Sequence, residues 1–222
     1  MKRFVLVAAL VFLLAPISAR ADAILDFGIG APTTGSISYN GSGGPLVGSG
    51  IQVDNVVGLG TPANDGSSLT ITDGVLNFTS GDFVSYDAGT NVWTFGGGGS
   101  IAIEGCIDTG QGQECGTLLS GTFDSASVQG FDSFKISGAS FSDWKDEDLA
   151  AYFGLGNVTD WDGNFNISFF GSGSNGGAIQ SSQLLSGDVV NSPVPEPATL
   201  TLLGSGLVAV AGMVRRRRQK KS

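Results

Sequence analysis

Along the middle of this chain, apolar and polar side chains alternate in short runs, and each run ends at Gly, Ser, Asn or Asp. An alternation of period two places successive side chains on opposite faces of an extended backbone, the mark of a half-buried strand. The runs predict strands over 24–29, 35–39, 51–57, 68–72, 75–79, 82–86, 92–95, 100–104, 117–124, 133–137, 164–170 and 183–190. Asp73-Gly74 falls between two of them and suits a hairpin turn that needs positive φ. Short strands separated by turns predict an all-β fold, a Gly-rich antiparallel β-sandwich of jelly-roll-like type. The glycine stretches 41–44, 96–99 and 171–177 read as flexible loops.

The period changes once. Ser142 or Asp143 can cap a short helix, and Asp143, Asp146, Glu147 and Asp148 suit its positive N-terminal end. Trp144, Leu149, Ala151, Tyr152, Phe153 and Leu155 supply a packing face, and Gly154 or Gly156 a stop. After 190 the pattern predicts the end of the last strand and a short linker.

Both ends of the chain are apolar without alternation. Met1-Lys2-Arg3 is followed by an apolar run to Leu14, then Pro16 and small residues at Ala19, Ala21 and Ala23. This order predicts a secretory signal peptide over 1–23, cut by signal peptidase. At the other end, residues 198–214 carry no charge. As a helix at about 1.5 Å per residue they span roughly 25 Å, against a bilayer core of about 30 Å. Arg215, Arg216, Arg217 and Arg218 follow and form a cytoplasmic stop. The expected organisation is a signal peptide (1–23), an exported β-sandwich domain (24–192) and a C-terminal segment (193–222) with a single transmembrane helix.

Charge sharpens the picture of the exported body. The chain has 20 acidic and 11 basic residues, net −9. Most basic residues lie in the two end segments. Setting aside Asp22 and Glu196, the body keeps only Lys135 and Lys145 against its acids, and is about 16 units negative. Such a surface repels nucleic acid and anionic lipid. The chain contains no His, so His-based triads, His general bases and His–zinc sites are excluded. Cys106 and Cys115 flank a loop with two glycines and read as one disulfide in an exported protein.

Candidate chemistry in the body is sparse. Asp160, Asp162 and Asn164 resemble part of a calcium loop, with Ca²⁺ the hard cation their oxygens would take. That loop needs Gly sixth and Glu twelfth, whereas here Gly163 is fourth and Gly171 twelfth, and the same stretch alternates as a strand. A solvated strand face is the simpler reading, so no metal or other cofactor is expected. Trp93, Trp144 and Trp161 could stack on sugar rings, although core packing explains each more simply. Glu104, Glu114 and Glu147 sit in no catalytic frame.

Pro193, Pro195 and Pro197 stiffen the start of the C-terminal segment. Val194-Pro195-Glu196-Pro197, the Leu/Gly-rich span and the Arg-rich end together resemble the PEP-CTERM sorting signal of Gram-negative bacteria. The same tail is sometimes labelled an ice-binding protein C-terminal domain, but the body has only one Thr70-Ile71-Thr72 in place of a Thr array. The resemblance implies exosortase, a membrane cysteine transpeptidase, as a processing partner. It implies a precursor tethered transiently in the inner membrane, then removal of the helix and delivery to the cell surface or matrix. The expectation is a non-enzymatic structural or adhesive protein. The alternatives are a carbohydrate-binding module for exopolysaccharide, with or without Ca²⁺, and a glycoside hydrolase-like enzyme.

Overall fold

The computed structural model describes residues 22–130, 133–173 and 175–194. The expected membrane helix, Pro195, Glu196, Pro197 and Arg215–Arg218 lie outside them, as does the signal peptide up to Ala21. Among the described residues no helix is long and apolar enough to cross a membrane.

The chain forms strands β1 (Ile24–Ile29), β2 (Ser36–Tyr39), β3 (Pro45–Gln52), β4 (Asn55–Leu59), β5 (Ser68–Thr70), β6 (Thr72–Asp87), β7 (Val92–Phe95), β8 (Gly98–Asp108), β9 (Gln113–Gly130) and β10 (Ser133–Lys145). One short helix, α1 (Glu147–Tyr152), precedes β11 (Trp161–Gly173) and β12 (Ile179–Pro193). All pairings are antiparallel, so the all-β expectation with one short helix holds.

Hydrogen bonds join the strands into one 12-stranded sheet. Its path runs from β12 through β11, β10 and β9 to β7 and β8, then through β6, β3 and β2. It returns to β12 through Ile179↔Tyr39 and Gln180↔Ser38. The flap β1–β4–β5 branches from the other half of β12. A single strand therefore serves successive partners along its length: β6 pairs with β8 over Thr72–Thr79 and with β7 over Phe83–Asp87. Register shifts mark these changes of partner, as expected where a bulge bends a strand.

The core lies between inner faces of the sheet. Phe78 of β6 meets Phe165 of β11 with ring centroids 5.2 Å apart, although those strands share no hydrogen bonds. Phe123 packs on Phe78 at 5.8 Å and on Phe141 at 5.8 Å, extending the aromatic cluster. Glycines on the strands make room for these rings. A Cβ on Gly48 would stand 2.0 Å from the Phe78 ring, and one on Gly163 would stand 2.1 Å from Phe141.

Several local expectations change. Asp73-Gly74 is no hairpin turn: β6 runs through it, with Asp73 at φ 54° and the register slipping between Thr72 and Val75. A bulge can take up the same positive φ that a tight turn uses. Residues 51–57 form no single strand, because the chain turns a corner at Val53-Asp54. The Asp54 carboxylate holds that corner by accepting from Gly30 N–H at 2.8 Å and Gln52 Nε2 at 2.9 Å. The 96–99 glycines form a close crossing and not an open loop; a Cβ on Gly99 would lie 2.0 Å from the Thr79 carbonyl oxygen.

The helix starts later than expected. Asp146 caps it, accepting from the backbone N–H of Asp148 and Leu149. Asp143 and Trp144 belong to β10, which pairs Asp143 with both Gly121 and Trp161. No linker separates β12 from the C-terminal segment either: Ser192 pairs with Asp162 and Pro193 with Trp161.

The glycine packing gives a direct test. Gly48→Ala should cost about 2–3 kcal/mol, the upper part of the range for overpacking. Adding Phe78→Leu should make the alanine less costly than it is alone, because the ring is what it strikes. Urea unfolding of the two single variants and the double variant measures this, and strictly additive losses would contradict the contact.

Candidate functional site

The C-terminal segment is anchored at its start. Val194 donates its backbone N–H to the Asp160 carbonyl at 2.9 Å, continuing the ladder one residue beyond β12. Val194 is the one residue of the Val194–Pro197 motif among the described residues.

The candidate body residues separate. Trp93 and Trp161 are buried, whereas Trp144 is 45% exposed. Trp93 donates its indole N–H to the Gly177 carbonyl at 3.1 Å. Along β11, Trp161, Gly163, Phe165, Ile167 and Phe169 face inward, while Asp162 and Asn164 are exposed. Asp162 and Asn164 border a shallow depression of about 420 Å³ with Asp124, Ser140 and Ser192. Asp160 lies before the strand, where one carboxylate oxygen accepts from Thr159 Oγ1 at 3.0 Å. Cys106 and Cys115 form a disulfide between directly paired positions of β8 and β9.

Two carboxylate groupings emerge that strand patterning does not reveal. Glu114, Asp146 and Asp148 bring carboxylate oxygens within 4.8 Å of one another at the α1 cap. A hydrogen bond with Asp148 and then that residue's charge push Glu114 up from its ordinary value. On another part of the surface, Asp26, Asp54, Asn55 and Asp188 line a depression of about 290 Å³. Asp26 is raised by burial first and by the Asp188 charge second, and its Oδ1 has no hydrogen-bond partner.

The most unusual grouping lies inside the body. The Lys145 side chain is 1% exposed and that of Asp143 0%. Both point inward from β10, two residues apart. The Lys145 ammonium donates to Asp143 Oδ1 and, at 3.0 Å, to Asn191 Oδ1 on β12. It also stands 4.8 Å from the centre of the Trp161 ring, an attractive cation–π position. Asn191 is fully buried, and its Nδ2 donates to the Val189 carbonyl at 3.1 Å. Asp143 Oδ2 has no partner. β11 lies between the two strands, and Gly163, the partner of both Phe141 and Asn191, places no side chain there.

Burial dominates the proton affinities. It pushes Asp143 up to about 6, against the opposing pull of Lys145 and with a smaller upward push from Asp162. It pushes Lys145 down to about 8 against the attraction of Asp143. Each group is driven towards its neutral form, as desolvation requires.

The sign of the Asp143 effect follows. Its folded value lies above the ordinary 3.8, so the folded protein keeps this proton to higher pH than the unfolded chain. The associated stability is complete below about pH 4 and is lost as pH rises through about 6. Thermal melts across this window should show the wild type losing Tm relative to Asp143→Asn, whose amide does not titrate. Parallel curves would contradict the raised value.

Among curated proteins and among solved structures, nothing matches the chain. Its C-terminal end does match a family model, that of the PEP-CTERM protein-sorting motif, over residues 193–218. The match begins at Pro193, the last residue of β12. The chain carries a PEP-CTERM sorting motif, which supports an exported, exosortase-processed protein at the cell surface.

Proposed function

We propose that the β body is a non-enzymatic structural or adhesive component of the cell surface or its matrix, delivered through the 193–218 motif. The observation that carries this reading is the junction between body and motif. β12 enters the motif without a linker, and its final residues are paired to β11. Any pull on the tether therefore acts on a long strand bonded along its whole length to β11 and, over parts of it, to β1 and β2. That arrangement suits a load-bearing component. In this reading signal peptidase removes 1–23, and the inner membrane holds the precursor through the 198–214 helix.

The intact mass of surface-associated protein tests the route. In a host with exosortase the mature chain should lack Arg215–Arg218, and its C-terminus should lie beyond Val194, because residues up to there belong to the sheet. The same host without exosortase should retain the full tail. Identical tailed species from both would remove the sorting step from the proposal.

A second reading is carbohydrate binding, and the exposure of Trp144 favours it. This indole faces outward on β10 beside Ser120 of β9, with Ser142 and Thr122 forming the next pair on the same face. An exposed ring in a hydroxyl-bearing face suits stacking on a sugar. Glycan-array binding by the wild type that falls at least tenfold in Trp144→Ala, with unchanged Tm, would favour this reading over a passive structural role. Binding unaffected by the substitution would remove Trp144 from it.

A further inference from the structure

Lys145 is a costly residue for its position. Its side chain and that of Asp143 are both enclosed, and the carboxylate has an unsatisfied oxygen. A buried ion pair rarely repays its desolvation, and well-packed apolar side chains of similar volume usually serve stability as well or better. The geometry also exceeds what a simple ion pair needs. The amine contacts the carbonyl oxygen of a carboxamide held by a second hydrogen bond, and an acid touches the same amine. Trp161 is buried beside the group.

We propose that Lys145 and Asn191 become joined by an intramolecular amide bond, formed by the folded body itself with Asp143 as the proton-handling group. Amine, carboxamide and carboxyl are the complete reactant set.

The step balances without any further reactant. Lys145 first passes a proton to Asp143, leaving a neutral amine and a neutral acid. Burial favours this exchange because it removes both charges together. The Nζ lone pair then attacks Cγ of Asn191. The carbonyl π pair moves to Oδ1, which takes the Asp143 proton. The Asp143 carboxylate accepts a proton from Nζ and delivers it to Nδ2. The Cγ–Nδ2 bond breaks, and ammonia departs with the bonding pair. The carbonyl re-forms as the Oδ1 proton returns to Asp143. One C–N bond is made, one is broken and nothing is oxidised or reduced. The enclosed position keeps water from competing for Cγ, and pre-positioning replaces a bimolecular encounter.

The bond would tie β10 to β12 across β11, closing a segment of 46 residues. Asn191 lies just before the matched motif, so a pull entering through Pro193 would meet a covalent link almost at once. This mechanical meaning rests on the proposed tethering, but the bond does not. It requires only the folded body and should form with or without exosortase.

The test is mass spectrometry of the wild-type protein, disulfide reduced and chain unfolded, from hosts with and without exosortase. The expected mass is lower by one ammonia than the processed sequence in both. Trypsin should fail to cut after Lys145. Cleavage at acidic residues should give one branched product joining the Lys145 and Asn191 peptides. Lys145→Arg, Asn191→Ala and Asp143→Ala should each restore the full mass. The Asp143 variant is the informative one, since it retains both reacting groups. Should these variants fail to fold, the wild-type spectrum still decides. A full mass with cleavage after Lys145 would overturn the proposal, as would loss of water with a link between Asp143 and Lys145.

Discussion

A sheet with almost no helix must cover its apolar face with itself, and the rest of this structure follows from that constraint. α1 has six residues and buries Leu149 and Ala150, far too little to shield twelve strands. The sheet solves the problem by returning to its own edge at β12 and facing β6 with β11. Rings then meet across the interior, and the strands must bend to bring them together. Long strands that change partners at bulges are the consequence, and the glycines opposite Phe78 and Phe141 are a condition for it.

This constraint explains which features local sequence could convey. The alternation from Trp161 to Phe169 sorts inward from outward residues correctly, because burial on one face imposes period two regardless of partners. The bounds of β1 and β7 are equally plain. Glycine is where the reading loses accuracy. In a strand whose glycine accommodates a ring from its neighbour, the residue marks close packing and not an end. Gly81, between 75–79 and 82–86, is no end either: a Cβ there would stand 2.1 Å from the Gly97 carbonyl oxygen, and β6 runs on through this close backbone crossing. Asp73 shows a second ambiguity, since its positive φ serves bulge and hairpin alike. Only the pairing of Thr72 with Cys106 distinguishes them.

Long-range pairing also determines the buried polar group. Asp143 and Asp146 are equivalent helix caps in local terms, and Asp143 is drawn into β10 by partners on β9 and β11. Lys145 sits in an acidic stretch and reads as solvated. Asn191 precedes Ser192 and Pro193, a sequence typical of loops. Neither residue signals burial, and their proximity depends on the order β10–β11–β12. The PEP-CTERM motif is the opposite case. Its meaning is carried by a short linear pattern, so it is legible without any fold.

These two kinds of information meet at Pro193. The processing signal begins on the last residue of a paired strand, so delivery and architecture share a backbone. The first two residues of the matched segment, Pro193 and Val194, stay bonded to the neighbouring stretch of chain, and the inward group on β10 contacts β12 two residues earlier, at Asn191. A polar cluster placed deep in the body would interrupt the aromatic packing between β6 and β11. Near the end of β12, where Trp161 supplies a ring for the ammonium, it can be enclosed without displacing that packing. The location is therefore where a buried polar group disturbs the core least and acts most directly on the strand leaving the body.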